Sequence, residues 1–147
     1  MSCIRFNTPA QRAQMRAAAP AMLTPEQAAA LHPAPVVTDS KVRRLRLLAE
    51  NPNPKIRESV ASSYHTPLDL FERLARDEDA GVRGCVARNE AAPCDVLREL
   101  ARDEDETVRG WVAVNFFVPE DVMQGLADDR SETVRALVDW KASLAAV

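Results

Sequence analysis

A unit of 26 residues recurs along this chain, and that repeat limits what the chain can fold into more than any other feature. The segments LARDEDAGVRGCVARNEAAPCDVLRE (74–99) and LARDEDETVRGWVAVNFFVPEDVMQG (100–125) align without a gap. One period earlier stands LAENPNPKIRESVASSYHTPLDLFER (48–73). One period later stands LADDRSETVRALVDWKASLAAV (126–147), which carries only the first of the two helical patterns.

The aligned columns assign each position a task. Asn53, Asp79, Asp105 and Ser131 share a column, and all four are residue types whose side chains accept from the orphan N–H groups of a first helical turn. Pro54 fits the first helical position. Then Ile56-x-x-Ser59-Val60, Val82-x-x-Cys85-Val86, Val108-x-x-Trp111-Val112 and Val134-x-x-Leu137-Val138 set an apolar face at i, i+3 and i+4. Asn89 and Asn115 follow it, and suit a left-handed C-cap. This is helix A. Pro67, Pro93 and Pro119 open helix B, which continues as Leu70-Phe71-x-x-Leu74-Ala75, Val96-Leu97-x-x-Leu100-Ala101 and Val122-Met123-x-x-Leu126-Ala127. Whether helix B is α or 3₁₀ stays open. Arg44-Leu45-x-x-Leu48-Ala49 reads as a degenerate helix B that opens the array.

Such units must stack. Each offers about six sizeable apolar side chains, worth roughly 1.5–3 kcal/mol apiece when buried. Ordering the backbone and side chains costs on the order of 1.5 kcal/mol per residue. One repeat alone cannot offset that cost, so neighbours must bury one another's faces.

The run LARD-x-D-x-x-VR-x-x-VA-x-N followed by P-x-x-[VL]-[LM]-x-x-LA resembles the leucine-rich repeat variant family, and its Asp-then-Val-Arg core resembles HEAT repeats. The match covers roughly residues 41–147 and recurs in register at least three times. The resemblance implies an all-α fold, a right-handed α-solenoid superhelix of short paired helices of the HEAT/armadillo-like kind. In one branch of the variant family an N-terminal cysteine cluster holds an iron–sulfur centre. Only Cys3 precedes the repeats here, so that cofactor does not carry over and none is expected.

Charge is unevenly placed within the net of −3. Residues 1–46 carry seven basic side chains against Glu26 and Asp39, whereas the remainder carries 12 basic against 20 acidic. An acidic array is the wrong sign for phosphates along its length. Nucleic-acid binding therefore falls to the basic leading segment, through Arg5, Arg12, Arg16, Lys41, Arg43, Arg44 and Arg46. No run is apolar enough to span a membrane, and the first residues lack the apolar core of a secretory signal. Cys3, Cys85 and Cys94 lack metal-site spacing, which together with the missing signal argues for a reducing, cytoplasmic setting.

Arg57, Arg83, Arg109 and Arg135 form a column, each with Asn51, Asp77, Asp103 or Asp129 six residues earlier. They read as an Asp–Arg ladder tying each turn to the next helix A rather than as a stripe for anions. Asp69, Asp95 and Asp121 sit two residues after a helix-start proline and read as helix-dipole partners, with Thr66 and Asp69 approximating a capping box. His65 is the sole histidine of the array, which does not make a metal site. Cys85 reads as a core thiol in line with Ser59, Trp111 and Leu137, and Cys94 lacks a partner base. No catalytic or metal-ligating constellation emerges, so the chain is not expected to be an enzyme. The A-to-B loops carry Tyr64-His65 and Phe116-Phe117 where the middle loop has Glu90-Ala91. Those four residues are either a partner-binding edge or satellite core under a neighbouring loop.

Residues 1–40 lack the repeat and hold Thr8-Pro9 and Thr24-Pro25-Glu26 as helix starts, then HPAPVVTDS as an extended connector. They form either a packed helical cap, burying Met15, Met22, Leu23 and Leu31, or a mobile basic arm. At the other end Trp140, Leu144 and Val147 form either a self-cap or an end-to-end homodimer contact. The expected function is a non-enzymatic scaffold recognising a protein or peptide through the repeat surface.

Overall fold

The chain divides into two units, residues 1–36 and 37–147. The computed structural model describes residues 37–145. The expectations for Cys3, for the helix starts at Thr8 and Thr24, for Met15, Met22, Leu23 and Leu31, and for Val147 lie outside the described residues. Those described are all-helical, with eight helices and no strand. In chain order these are α1 (Asp39–Leu48), α2 (Pro54–Ala61), α3 (Leu68–Leu74), α4 (Ala80–Arg88), α5 (Cys94–Leu100), α6 (Glu106–Val114), α7 (Glu120–Ala127) and α8 (Glu132–Ala145). The even-numbered helices from α2 onward are the A helices, and α1, α3, α5 and α7 are the B helices, all of them α-helical.

The caps follow from residue chemistry. Asn53, Asp79 and Asp105 precede α2, α4 and α6 with extended backbone, and each side chain accepts from an N–H of the first turn. Ser131 departs from its column, for its hydroxyl donates to Glu106. Pro67, Pro93 and Pro119 stand one residue earlier than expected, as N-caps that make no side-chain bond. Helix α1 also starts early, at Asp39 inside the stretch expected to be extended, because Thr38 accepts from the Lys41 N–H.

Helices α2, α4 and α6 each pack most closely against the A helix one period later, while α3, α5 and α7 each bridge the A helices before and after them. That arrangement shifts the buried stripe. Val82, Arg83, Val86 and Ala87 are buried on α4, as are Val108, Arg109, Val112 and Ala113 on α6. The stripe runs i, i+1, i+4, i+5, so the i+3 column moves to its edge. Cys85 and Leu137 are half-buried, and Trp111 and Ser59 are exposed, correcting the core role expected of that column. The B helices bury Leu70, Phe71 and Leu74, then Val96, Leu97 and Leu100, then Val122 and Leu126.

Gly84 and Gly110 are buried where neighbouring side chains cross closely. An added Cβ would meet Trp111 Cδ1 at 3.3 Å and Leu137 Cδ1 at 3.2 Å, respectively. Gly125 on α7 has nothing within 4 Å of that position. Gly125→Ala therefore gains helix propensity without a clash, and urea unfolding should show stabilisation by up to about 1 kcal/mol. Among the described residues no helix is long and apolar enough to cross a membrane.

Candidate functional site

The conspicuous polar columns are spent on internal ties. Arg83 Nε and Nη2 donate to the two carboxylate oxygens of Asp103 at 2.7 and 2.9 Å, and its Nη1 donates to the Asp77 carbonyl at 2.8 Å. The same fork joins Arg57 to Asp77 and Arg109 to Asp129, with Nη1 on the carbonyls of Asn51 and Asp103. The ladder thus has a different register from the one expected. The residue six positions earlier supplies its backbone carbonyl, and the carboxylate comes from 20 residues later. Each Asp also accepts the N–H two residues on, as Asp77 does from Asp79. The Arg109 bond holds the Asp129 carboxyl below its ordinary range, against the opposing effect of burial. Arg135 keeps only the backbone half of the arrangement, donating to the Asp129 carbonyl.

Asn89 and Asn115 are the C-caps of α4 and α6, as expected, but not left-handed ones, and they make a second set of ties. Both residues are buried, with extended backbone rather than a left-handed conformation. Asn89 Nδ2 donates to the carbonyls of Ala61 and Ser63, and Asn115 Nδ2 to those of Ala87 and Asn89, at 2.7 and 3.1 Å in each case. Their side-chain oxygens accept from the N–H groups of Ala91 and Phe117. Lys141 holds the same column one period later, and its ammonium donates to the carbonyls of Ala113 and Asn115. Burial lowers its pKa from the usual lysine value. The legible signal was the recurrence of Asn in a column whose other members are Ser63 and Lys141.

The expected capping box at Thr66 and Asp69 is absent. The Thr66 hydroxyl donates to the Val60 carbonyl at 2.6 Å, and the Asp69 carboxylate takes Arg46. Arg98 likewise pairs with Asp121 and Asp95, Arg76 with Glu99, and Arg73 with Glu50. These pairs are exposed, where solvent screening leaves them little weight. Of the basic residues considered for nucleic acid, Arg46 is therefore engaged with Asp69, while Lys41, Arg43 and Arg44 are exposed.

Among the described residues the exposed large apolar side chains include Leu47 and Leu68 on α1 and α3, Trp140 and Leu144 on α8, and two further groups on the A-to-B loops and the A helices. On the A-to-B loops Tyr64 is 73% and Phe116 76% exposed, which removes the satellite-core alternative for both. Phe117 is exposed and meets Phe116 edge-to-face with ring centres 5.0 Å apart, whereas His65 is half-buried. The loop of Glu90 and Ala91 separates the two aromatic pairs along the chain. The other surface is the open face of the A helices, where Trp111 lies across Gly84 with the Arg88 guanidinium 5.3 Å from its ring centre. Sequence reasoning missed this feature by assigning Trp111 to the core. Among the described residues no group of three or more His, Cys, Asp or Glu is placed to hold a metal ion. Cys85 and Cys94 are free thiols.

Comparison of the chain with family models, with curated proteins and with solved structures found no match in any of the three.

Proposed function

We propose that this chain is a non-enzymatic scaffold that recognises a protein or peptide through its repeat surface, built as a right-handed α-solenoid of the HEAT or leucine-rich-repeat-variant kind. The 26-residue spacing of the A-helix starts at Pro54, Ala80, Glu106 and Glu132 supports the repeat architecture. So do the Arg–Asp and Asn–carbonyl ties that recur at the same spacing. Because A helices pack on one another more closely than B helices do, the stack would curve with the A face inward.

The observation that carries the functional reading is the contrast between committed polar columns and uncommitted aromatics. Buried arginines and asparagines serve the scaffold, while Tyr64, Phe116 and Phe117 stand exposed beside His65 on one edge. Aromatic side chains of that kind are the usual anchors of an interface. Replacing Tyr64, Phe116 and Phe117 by alanine should abolish capture of the native partner from cell extract. Thermal stability should shift by no more than about 0.5 kcal/mol, as for surface changes away from structural features. Undiminished capture, or a large loss of stability, would sink the reading.

A further inference from the structure

The open face of the A helices holds a cleft of about 250 Å³ between α6 and α8. Trp111, Val114 and Leu137 line it, and Gly110 forms part of its floor. The absence of a side chain at Gly110 lets Leu137 lie close, and Gly84 does the same for Trp111 one period earlier. Its volume is below the roughly 300–1,000 Å³ of small-molecule sites, so it suits one bulky side chain better than a free metabolite.

The charges around the cleft are polarised. On the edge formed by the A-helix starts and the turns before them, Glu104, Glu106, Asp128 and Glu132 are exposed. Arg130 and Arg135 are the cations there that no fork takes up, and they donate to the Glu104 and Asp129 carbonyls. Arg102 turns to the B-helix side, where it donates to the Arg98 carbonyl. At the opposite, loop end the Lys141 ammonium of α8 donates to the carbonyls of Ala113 and Asn115, while Arg88 holds the Trp111 ring from the neighbouring cleft between α4 and α6. A ligand cation is thus attracted toward Glu106 and Glu132 and repelled from Lys141, which fixes its direction across the cleft.

We infer that the cleft between α6 and α8 binds a basic peptide segment, with a bulky apolar side chain seated between Trp111 and Leu137 and flanking lysine or arginine directed at Glu106 and Glu132. This rests on the scaffold reading above and supplies the chemistry of its partner. An anionic partner such as nucleic acid or an acidic lipid surface would meet the carboxylates directly.

Three fluorescein-labelled probe peptides test the inference against the full chain by anisotropy: lysine–leucine with leucines at helical spacing, its glutamate–leucine counterpart, and lysine–serine. The lysine–leucine peptide should bind and shift the tryptophan emission, and the other two should bind at least about tenfold more weakly, a difference of about 1.4 kcal/mol. Trp111→Ala or Leu137→Ala should weaken binding by a similar factor. Since those changes touch packed residues, the exposed double change Glu106→Gln/Glu132→Gln provides a second arm, the amide keeping the acceptor for the Ser131 hydroxyl. It should reduce binding about tenfold with the melting temperature retained, and weaken the salt dependence that Glu104 and Asp128 leave. Equal binding of the glutamate–leucine peptide, or lysine–leucine binding indifferent to all of these changes, would overturn the inference. If the lysine–leucine peptide fails to bind while capture still depends on Phe116 and Phe117, the cleft is refuted and the loop-edge reading stands. If cleft binding persists while capture ignores the loop aromatics, the loop edge is refuted and the cleft stands.

Discussion

Arg109→Ala should unfold this protein at a melting temperature roughly 10–20 °C lower, a loss of about 3–5 kcal/mol. The side chains of Arg109 and Asp129 are only 4% and 8% exposed, and the guanidinium satisfies both carboxylate oxygens and two turn carbonyls. Alanine would remove the cation and leave a carboxylate buried without its partner. The double change Arg109→Met/Asp129→Leu should recover much of the loss, because it removes the desolvation cost together with the attraction. Urea unfolding of the three proteins at neutral pH checks the order. A loss below about 1 kcal/mol for Arg109→Ala would show that the fork contributes no more than a surface pair.

The same fork gives the acid limb a definite sign. Asp129 has a folded-state pKa below the ordinary aspartate value, with its bond to Arg109 as the leading cause. At pH values between the folded and unfolded pKa, the unfolded chain therefore holds more protons, and stability rises with pH. The contribution is complete above the unfolded value of about 3.9 and is lost as pH falls through the folded value. In Arg109→Ala that part of the acid dependence should flatten.

Asn115→Asp should cost about 3–5 kcal/mol, more than Asn115→Ala, despite its nearly identical shape. The amide of Asn115 is buried, donates to two carbonyls of the preceding repeat and accepts the Phe117 N–H. Alanine leaves the Ala87 carbonyl without this donor and turns the part-buried Phe117 N–H to water, a cost of roughly 1–3 kcal/mol, while the Asn89 carbonyl keeps the Ala92 N–H. Aspartate keeps the acceptor but loses both donors, and it aims a charge at the oxygens of Ala87 and Asn89. Asn115→Lys tests the column, because Lys141 serves the equivalent carbonyls with an ammonium. It should be tolerated better than aspartate. Thermal unfolding of the three variants settles the order, and aspartate equal to wild type would refute the buried-tie account.

Much of the helical scaffold was legible in sequence because it depends on neighbours along the chain. Asn53, Asp79 and Asp105 cap the next turn whatever lies beyond them, and Val82 with Val86 makes an apolar face at any helix position. The loop aromatics were legible as candidates from their absence in the middle repeat. The arginine ladder was legible as structural, though its carboxylates come from one period later than the spacing suggests. Nothing in the spacing of Asn51 and Arg57 tells a backbone carbonyl from a carboxylate as acceptor.

The sequence alone determined where α2, α4 and α6 start, through their capping residues, and which residue types recur at 26-residue intervals. Only the tertiary structure decided which groups those residues meet, since Asn115 reaches carbonyls 26 and 28 residues earlier, and such partners are set by distance in space. It also decided that Trp111 lies on an open face. Packing on both flanks of each A helix moves the buried stripe to Arg109 and Ala113, and a periodicity fitted to one amphipathic face cannot register that second flank.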